Sequence, residues 1–480
     1  MKKYQIILVT IMFLGLNACN DFIEEEPQDF LTPSGFYTND QDAELAINGT
    51  YNAVSHLYDG QGRFFFVDTA TDIIYSRPTA VGPATEMHRW DINPTTQNLE
   101  RFWRELYTLI NRTNDNILGI NENLENLTPD VGNRVLGEAL FLRGFAYYNL
   151  VILYGEVPLI IEPFTSLDAT SSSLAPQQEI WDQVISDLQQ ARDLLPEKSG
   201  PANSFQGRVG RAAANTFLAK SLMYQQRWQE ALQEVNAVIN SGAYELEESV
   251  RDIFLIANEN GKESIFESQH SADDPATGAS DRTGNIFANQ YNARGSSIPG
   301  AFSTHFPSNT LLDLFEPQDT RFVELITQPE PQQIDQIPHV GKFLDPTVDR
   351  FRFNRNENNF IITRLADVYL MKAEIENELN GGPNAAAIEA LNIIRGRANA
   401  SLYALGGETQ AQFREIIFEE RAKELFAENH RYHDLKRLGF DVLQQAVESM
   451  EPQEIAPTVP ASLEFYPIPQ LEIDLNDGLD

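Results

Sequence analysis

Apolar residues at helical spacing recur along most of the chain, and this pattern limits the fold more than any other feature. Residues 211–226 and residues 228–240 carry apolar side chains three and four positions apart, which predicts a helical hairpin. Ala219 and Ala231 are small residues twelve positions apart, and Val235 follows four further on. This is tetratricopeptide-like spacing, in which small side chains let paired helices approach closely.

A looser copy of the hairpin follows later in the chain. Its first predicted helix spans residues 365–379, and Gly381-Gly382-Pro383 forms the turn. In the second helix, Ala387 and Leu391 face the first helix. Further helical stretches lie near residues 40–58, 99–120, 131–153, 176–194, 410–428 and 434–448. No strict repeat of about 34 residues joins them. The fold class is therefore mainly α, with degenerate tetratricopeptide-like helix pairs rather than a regular solenoid.

Two long stretches between the helices differ in composition. Residues 60–98 hold glycine, proline, threonine and many aromatics, and residues 243–362 are rich in Gly, Asn, Ser and Pro, with short β-like runs such as Ser264 to Glu267. We expect Phe64 to Phe66 to form a buried strand. Long irregular stretches inside a compact domain are unusual unless they bind something. We interpret them as one large irregular, loop-rich ligand face on the helical scaffold.

The N-terminus has the pattern of a lipoprotein signal. Two lysines precede an apolar run over residues 6–16, which is shorter than the roughly 20 residues that span a membrane and ends in Leu16-Asn17-Ala18-Cys19. We expect cleavage before Cys19 and acylation of its thiol, so that Cys19 is the membrane anchor. The predicted organisation is a signal peptide at 1–18, an acidic tether at 19–34 and a single domain at 35–480.

Charge and motifs exclude several classes of function. The formal net charge of −35 rules out nucleic-acid binding through bulk charge. The chain has no Gly-x-Ser-x-Gly elbow and no phosphate-binding Gly-Lys-Ser/Thr loop. We therefore predict that the chain is not an enzyme and uses no cofactor and no metal ion.

His430 and His433 lie three residues apart and could share a helix face as metal ligands. The interpretation we favour is a network of ion pairs that fixes the last helices and that the histidines join. Its expected members are Glu420, Arg421, Glu424, Arg431 and Asp434.

Several blocks in a fixed order resemble the SusD/RagB family over nearly the whole mature chain. They are Trp103, Tyr107, Ile110, Arg112 and Asn114; the run from Glu138 to Tyr148; the run from Arg364 to Glu374; and Glu420-Arg421 with Glu424, Glu428, Arg431 and Asp434. The resemblance implies a SusD-like fold with four tetratricopeptide-like helix pairs. It also implies a lipid-anchored outer-membrane protein exposed at the cell surface, seated as a lid on a SusC-like TonB-dependent transporter.

The family also implies a glycan ligand, and sugar chemistry suggests where it binds. Sugar rings stack on aromatic side chains, and their hydroxyls need Asp, Asn and Arg partners, so we expect the binding residues to lie in the loops. Trp90 is the one loop tryptophan, whereas Trp103, Trp181 and Trp228 have helical surroundings and are expected in the core. The predicted ligand-binding residues are Trp90, Asp72, Arg77, Asn93, Tyr291, Arg294, Phe302 and His305.

Two functional classes stay open at this point. One is a cell-surface binder that delivers oligo- or polysaccharide to the transporter. The other keeps the fold but binds peptides, as RagB-like members are thought to do, or serves mainly as a structural lid. The loop aromatics favour glycans.

Overall fold

The computed structural model describes residues 36–59, 64–77, 83–164, 172–197, 207–271, 284–293, 301–329, 336–347 and 356–479. Helices dominate these residues. In chain order they are α1 Asp40–Tyr58, α2 Pro83–Arg89, α3 Gln97–Glu122, α4 Pro129–Tyr154, α5 Gln177–Leu194, α6 Arg211–Tyr224, α7 Trp228–Asn240, α8 Phe287–Tyr291, α9 Asn309–Leu312, α10 Thr320–Leu325, α11 Leu365–Asn380, α12 Ala385–Arg397, α13 Gln410–Leu425, α14 Arg431–Leu438, α15 Phe440–Glu448 and α16 Gln470–Leu475.

The long helices pack on their neighbours in sequence, α3 on α4, α4 on α5, α5 on α6 and α6 on α7, and α11 packs on α7, α12 and α13. The mainly α fold built of helix pairs is therefore confirmed. Ala219 and Ala231 are both fully buried where α6 meets α7, as their small size and spacing predicted. Asn384 caps α12 by accepting a hydrogen bond from the Ala387 N–H at 2.8 Å.

Helix α4 lies at the centre of these packed helices. Among the described residues it is the one helix long and apolar enough to cross a membrane by length and composition, yet 94% of its most apolar window is buried inside the protein. Such a helix is apolar all round because protein surrounds it on every side. Gly137 and Gly144 let α5 and the turn after it approach closely, since a Cβ at either position would lie within 3.1 Å of a leucine side chain.

The segments between the helices contain short strands that pair with one another. They are β1 Ile74–Ser76, β2 Val157–Pro158, β3 Leu174–Ala175, β4 Ser264–Ser268, β5 His305–Pro307, β6 Ile326–Thr327, β7 His339–Val340 and β8 Phe360–Arg364. All pair antiparallel, as β1–β5, β2–β3, β4–β8 and β6–β7. The strand predicted at Ser264 is confirmed. Pair β1–β5 ties the two loop-rich stretches together, and pair β4–β8 joins the beginning of the second stretch to its end.

Two predictions of local structure were wrong. Phe64 and Phe66 are buried as expected, but they begin a 3-10 helix, Phe64–Ala70, rather than a strand. A short apolar run does not distinguish strand from helix, and tertiary packing decided between them. The helix predicted near residues 434–448 is instead two helices, because Gly439 adopts φ 135° between α14 and α15.

Candidate functional site

Two of the loop segments that were predicted to bind ligand meet at the β1–β5 pair. Tyr75 lies opposite Phe306, and Ser76 lies opposite His305. The pairing continues past β1, where the Arg77 N–H donates to the Thr304 carbonyl at 3.0 Å. Residues more than 200 positions apart in the chain therefore form one small surface.

Hydrogen bonds to α8 and the residue after it hold the segment that leads into β5. The backbone N–H groups of Phe302, Ser303 and Thr304 donate to carbonyls of Asn289, Asn292 and Gln290 at 2.6, 3.2 and 3.0 Å. Ser303 is fully buried and adopts a left-handed φ of 51°, a strained conformation for a residue with a side chain. These contacts hold Phe302 and Thr304 in place on either side of Ser303.

Four half-buried side chains form this surface: Tyr75, Arg77, Phe302 and Thr304. We call them the loop-base surface. The Arg77 Nε–H donates to the Ser303 carbonyl at 3.1 Å, and its guanidinium lies 5.5 Å from the centre of the Phe306 ring. Chemically, these residues supply two aromatic rings and a guanidinium, while the Thr304 hydroxyl donates to the Gln290 carbonyl at 3.2 Å. That combination can stack on a flat apolar face and bond to hydroxyl groups beside it.

Thr304 is the member of this surface that the sequence prediction missed. Its position next to Arg77 follows from the hydrogen bond that the Arg77 N–H donates to the Thr304 carbonyl. This contact joins residues more than 200 positions apart, so no local pattern in the sequence predicts it.

Tyr291 and His305 lie beneath the surface instead of on it. Both are fully buried, and their rings are 5.3 Å apart. His305 stacks on Phe66 at 4.8 Å. Burial, followed by the charge of Asp68, raises the pKa of Tyr291 well above its usual value, so the phenol stays neutral. The expectation that these two side chains are exposed in a loop was wrong, and their position is that of packing residues under β5.

Asp72 is also buried, and it is engaged by a cation. The Arg431 guanidinium donates to both Asp72 carboxylate oxygens, at 2.8 and 2.6 Å. Only 3% of Asp72 is exposed. A bidentate pair of this kind fixes the segment before β1 to α14, so Asp72 does not present a free carboxylate to solvent.

Trp90 was expected on the exposed loop, and that expectation was wrong. It is 2% exposed and packs among Tyr432, Phe440 and Tyr466, with ring centres 6.3 to 6.4 Å away. Its φ of 54° turns the chain sharply after α2 and directs the indole inwards. The proline and polar residues near Trp90 suggested a solvent-exposed loop. The left-handed conformation of Trp90 instead points its side chain into the core.

Asn93 is exposed, but its side chain shapes a turn. Its Oδ1 accepts from the Thr95 N–H at 3.0 Å and from the Thr95 hydroxyl at 2.6 Å. This Asx-type turn leads into α3.

Of the other predicted residues, Arg294 and the lipidation residue Cys19 lie outside the described part of the chain.

The predicted ion-pair network around the last helices is confirmed and is larger than expected. Arg421 pairs with Asp367 at 2.9 Å and with Asp434 at 2.8 Å. Glu420 and Glu424 both pair with Arg321, at 2.7 and 3.0 Å. Burial opposes ionisation of Glu424, but the charges of Arg397, Arg364 and Arg321 outweigh it and hold the pKa of Glu424 well below its usual range. Glu424 is therefore ionised within the cluster.

The two histidines have different partners. His430 Nδ1 lies 3.3 Å from the Lys220 ammonium, whereas the His433 ring stacks on Tyr148 at 5.8 Å. Burial and Lys220 lower the pKa of His433 to about 3. Within the described ranges, no group of three or more His, Cys, Asp and Glu side chains is placed to hold a metal ion.

Comparison with known sequences agrees with this architecture. A sequence profile of the SusD family matches residues 326–480, and a second profile, described as "Starch-binding associating with outer membrane", matches residues 39–223. SusD-like protein P25 of Formosa agariphila is 28% identical over 547 aligned residues, which cover 100% of this chain and 98% of that protein.

Solved structures show the same fold. A SusD homologue from Bacteroides thetaiotaomicron superposes with a TM-score of 0.81 at 22% identity, covering 95% of this chain and 99% of that one. Surface glycan-binding protein A from Bacteroides fluxus superposes with a TM-score of 0.78 at 22% identity, covering 92% and 97%.

Proposed function

Because this chain belongs to the SusD-like family, we propose that it is a glycan-binding protein of the outer membrane, not an enzyme. In this proposal it captures oligo- or polysaccharide at the cell surface, held there by lipid on Cys19. It then delivers the ligand to a SusC-like TonB-dependent transporter.

The relatives support a carbohydrate ligand. One matching profile is described by starch binding and association with the outer membrane, and one structure of the same fold is named for surface glycan binding. Those descriptions concern those proteins. For this chain they make glycans the ligand class to test first.

The observation that carries the proposal is the loop-base surface. In support of it, the Tyr75 ring lies 5.3 Å from the Phe306 ring, the Arg77 guanidinium lies 5.5 Å from the centre of the same ring, and Phe302 is half-buried just before β5. A ring of a sugar can lie against an aromatic face while its hydroxyls bond to the neighbouring polar groups. The nearby carboxylate of Asp72 is paired with Arg431, which suits a structural role better than acid or base catalysis.

A binding screen tests the ligand class. The chain from residue 20 onwards would be run through native gels containing neutral or acidic polysaccharides, and titrated in parallel with peptide mixtures. We expect retardation by at least one polysaccharide and no binding to peptides. Binding to peptides alone would replace this proposal with the RagB-like alternative. Binding to neither class would favour the alternative in which the protein serves mainly as a structural lid.

A second experiment tests the transporter. Mild-detergent purification of the full-length protein from its native membranes should bring down a large TonB-dependent barrel, because a ligand captured at the cell surface still needs a route across the membrane. Recovery of the protein alone, from cells shown to produce the neighbouring transporter, would contradict delivery.

A further inference from the structure

A cavity of about 40 Å³ lies within the helical scaffold, where α4, α6, α11, α13 and α14 meet. Aromatic side chains form part of its wall, among them Phe145, Tyr148 and Phe217. Polar side chains form the rest, among them Lys220, Asn429 and His430. None of the loop-base surface residues lines it, so this site is independent of the proposed glycan site.

Three polar atoms on the segment that leads into α14 and on α14 itself are buried and have no hydrogen-bond partner within the described ranges. They are Asn429 Oδ1, His430 Nε2 and His433 Nδ1. Asn429 is 7% exposed and His430 is 5% exposed. Buried polar groups in native proteins almost always have a partner, either protein or ordered water. These atoms therefore indicate a polar ligand in the cavity.

Lys220 determines which hydrogen bond His430 can make in the cavity. A lysine ammonium only donates, so the contact at 3.3 Å makes His430 Nδ1 an acceptor. Burial and the charge of Lys220 hold the pKa of His430 well below its usual range, so the ring is neutral. A neutral imidazole with Nδ1 as acceptor carries its proton on Nε2. His430 thus points a donor at the cavity, and Asn429 Oδ1 adds an acceptor.

The charged groups around the cavity are already paired, which argues against an ionic ligand. Lys220 contacts Asp367 at 2.6 Å, Arg421 contacts Asp434 at 2.8 Å, and Arg437 contacts Glu374 at 2.5 Å. A ligand that accepts one hydrogen bond and donates another is needed, and it must be small. Water meets both conditions, since a single molecule needs about 10–15 Å³ of such space.

We propose that this cavity is a binding site for about three to four water molecules, which accept from His430 Nε2–H and donate to Asn429 Oδ1. The waters complete the hydrogen bonding of the α13–α14 connection. That connection also includes Ala427 and Asn429 in left-handed conformations, at φ 61° and 66°. The cluster is thus a structural part of the helical junction.

High-resolution diffraction from crystals of the mature chain, with and without xenon pressure, tests this proposal. We expect density peaks within hydrogen-bond distance of His430 Nε2 and Asn429 Oδ1, and no xenon in the cavity. Xenon in the cavity would show that it is dry and overturn the proposal. So would density with no peaks there, or side chains that close the cavity by bonding to each other.

An Asn429→Gly variant gives a second test in a chain that should still fold, because glycine accepts the φ of 66°. We expect one additional water where the amide stood, with the water on His430 Nε2 retained. Asn399→Gly is the matched control, since Asn399 has a similar φ of 53° and lies outside the cavity wall. Collapse of the cavity in Asn429→Gly but not in Asn399→Gly would contradict a hydrated site.

Discussion

Asp68 is a buried carboxyl group in the 3-10 helix that precedes β1. It is 1% exposed, and it accepts the Asn429 N–H at 2.8 Å. Burial raises its pKa to about 7 from an ordinary value of 3.8, with smaller contributions from the charges of Glu428 and Asp434. The folded protein therefore keeps a proton on Asp68 over a pH range in which the unfolded chain has released it.

The sign of this shift gives a prediction. Stability from a raised carboxyl pKa is fully present below pH 3.8 and is lost as the pH rises through about 7. Asp68→Asn keeps the acceptor oxygen but cannot ionise, so its melting temperature should rise relative to the parent between these pH values. Thermal melts of both proteins from pH 4 to 8 check this. A difference in melting temperature that stays constant across the range would contradict it.

Trp90 belongs to the core, and its substitution should act on stability first. Removing a buried tryptophan side chain typically costs about 3–5 kcal/mol. We expect Trp90→Ala to lower the free energy of unfolding by that amount in a denaturant titration. Trp228→Ala is the comparison, because Trp228 is only half-buried on α7 and should cost less. A loss below about 1 kcal/mol for Trp90→Ala would mean that the indole is not packed as described.

At the scale of elements, α13 is held by charges rather than by an apolar stripe alone. Glu424 receives hydrogen bonds from Arg364 at 2.6 Å and from Arg321 at 3.0 Å, and it also pairs with Arg397. Arg364 in turn contacts Glu263 and Glu428, both at 2.8 Å. The helix thus joins strand β8, α10 and α12 through one buried cluster.

Removal of one cation from this cluster should be severely destabilising. Arg364→Ala removes one cation that the buried carboxylates of Glu424, Glu428 and Glu263 share, and breaking a buried ion pair typically costs about 3–5 kcal/mol. The matched control is Arg104→Ala, whose surface pair with Glu100 at 3.1 Å should contribute about 0–1 kcal/mol. Denaturant unfolding of both variants gives the comparison. An equal decrease in the free energy of unfolding for both variants would show that the buried cluster stabilises the fold no more than a surface ion pair does.

The helices were predictable from sequence because their signal is local. Helices α1, α5 and α11 begin and end close to the predicted residues, since apolar spacing and turn residues such as Gly381 act over a few positions. The break at Gly439 was a local signal that was overlooked. The 3-10 helix at Phe64 was not predictable in this way, because its conformation depends on contacts with distant aromatics such as Phe102 at 5.2 Å.

At the scale of the whole molecule, the sequence located the segments of the candidate site but not the direction of their side chains. Arg77 and Phe302 are half-buried, whereas Trp90, Tyr291 and His305 are buried in the core. Direction was decided by the β1–β5 pairing and by left-handed residues at Trp90 and Ser303. Both depend on tertiary contacts, which no local pattern encodes. The domain boundaries and the anchor at Cys19 stay predictions.

The most direct test of the account is the affinity of the mature chain for the polysaccharide found in the binding screen. Calorimetric titration would compare the parent with Phe302→Ala and Arg77→Ala, and with the controls Phe164→Ala and Arg104→Ala, which alter exposed side chains elsewhere. We predict that each loop-base variant loses about thirtyfold or more in affinity, the cost of removing a binding hot spot, while its melting temperature and both controls stay close to the parent. Unchanged affinity in both loop-base variants would contradict the proposed site, and the absence of any bound polysaccharide would contradict the proposed function.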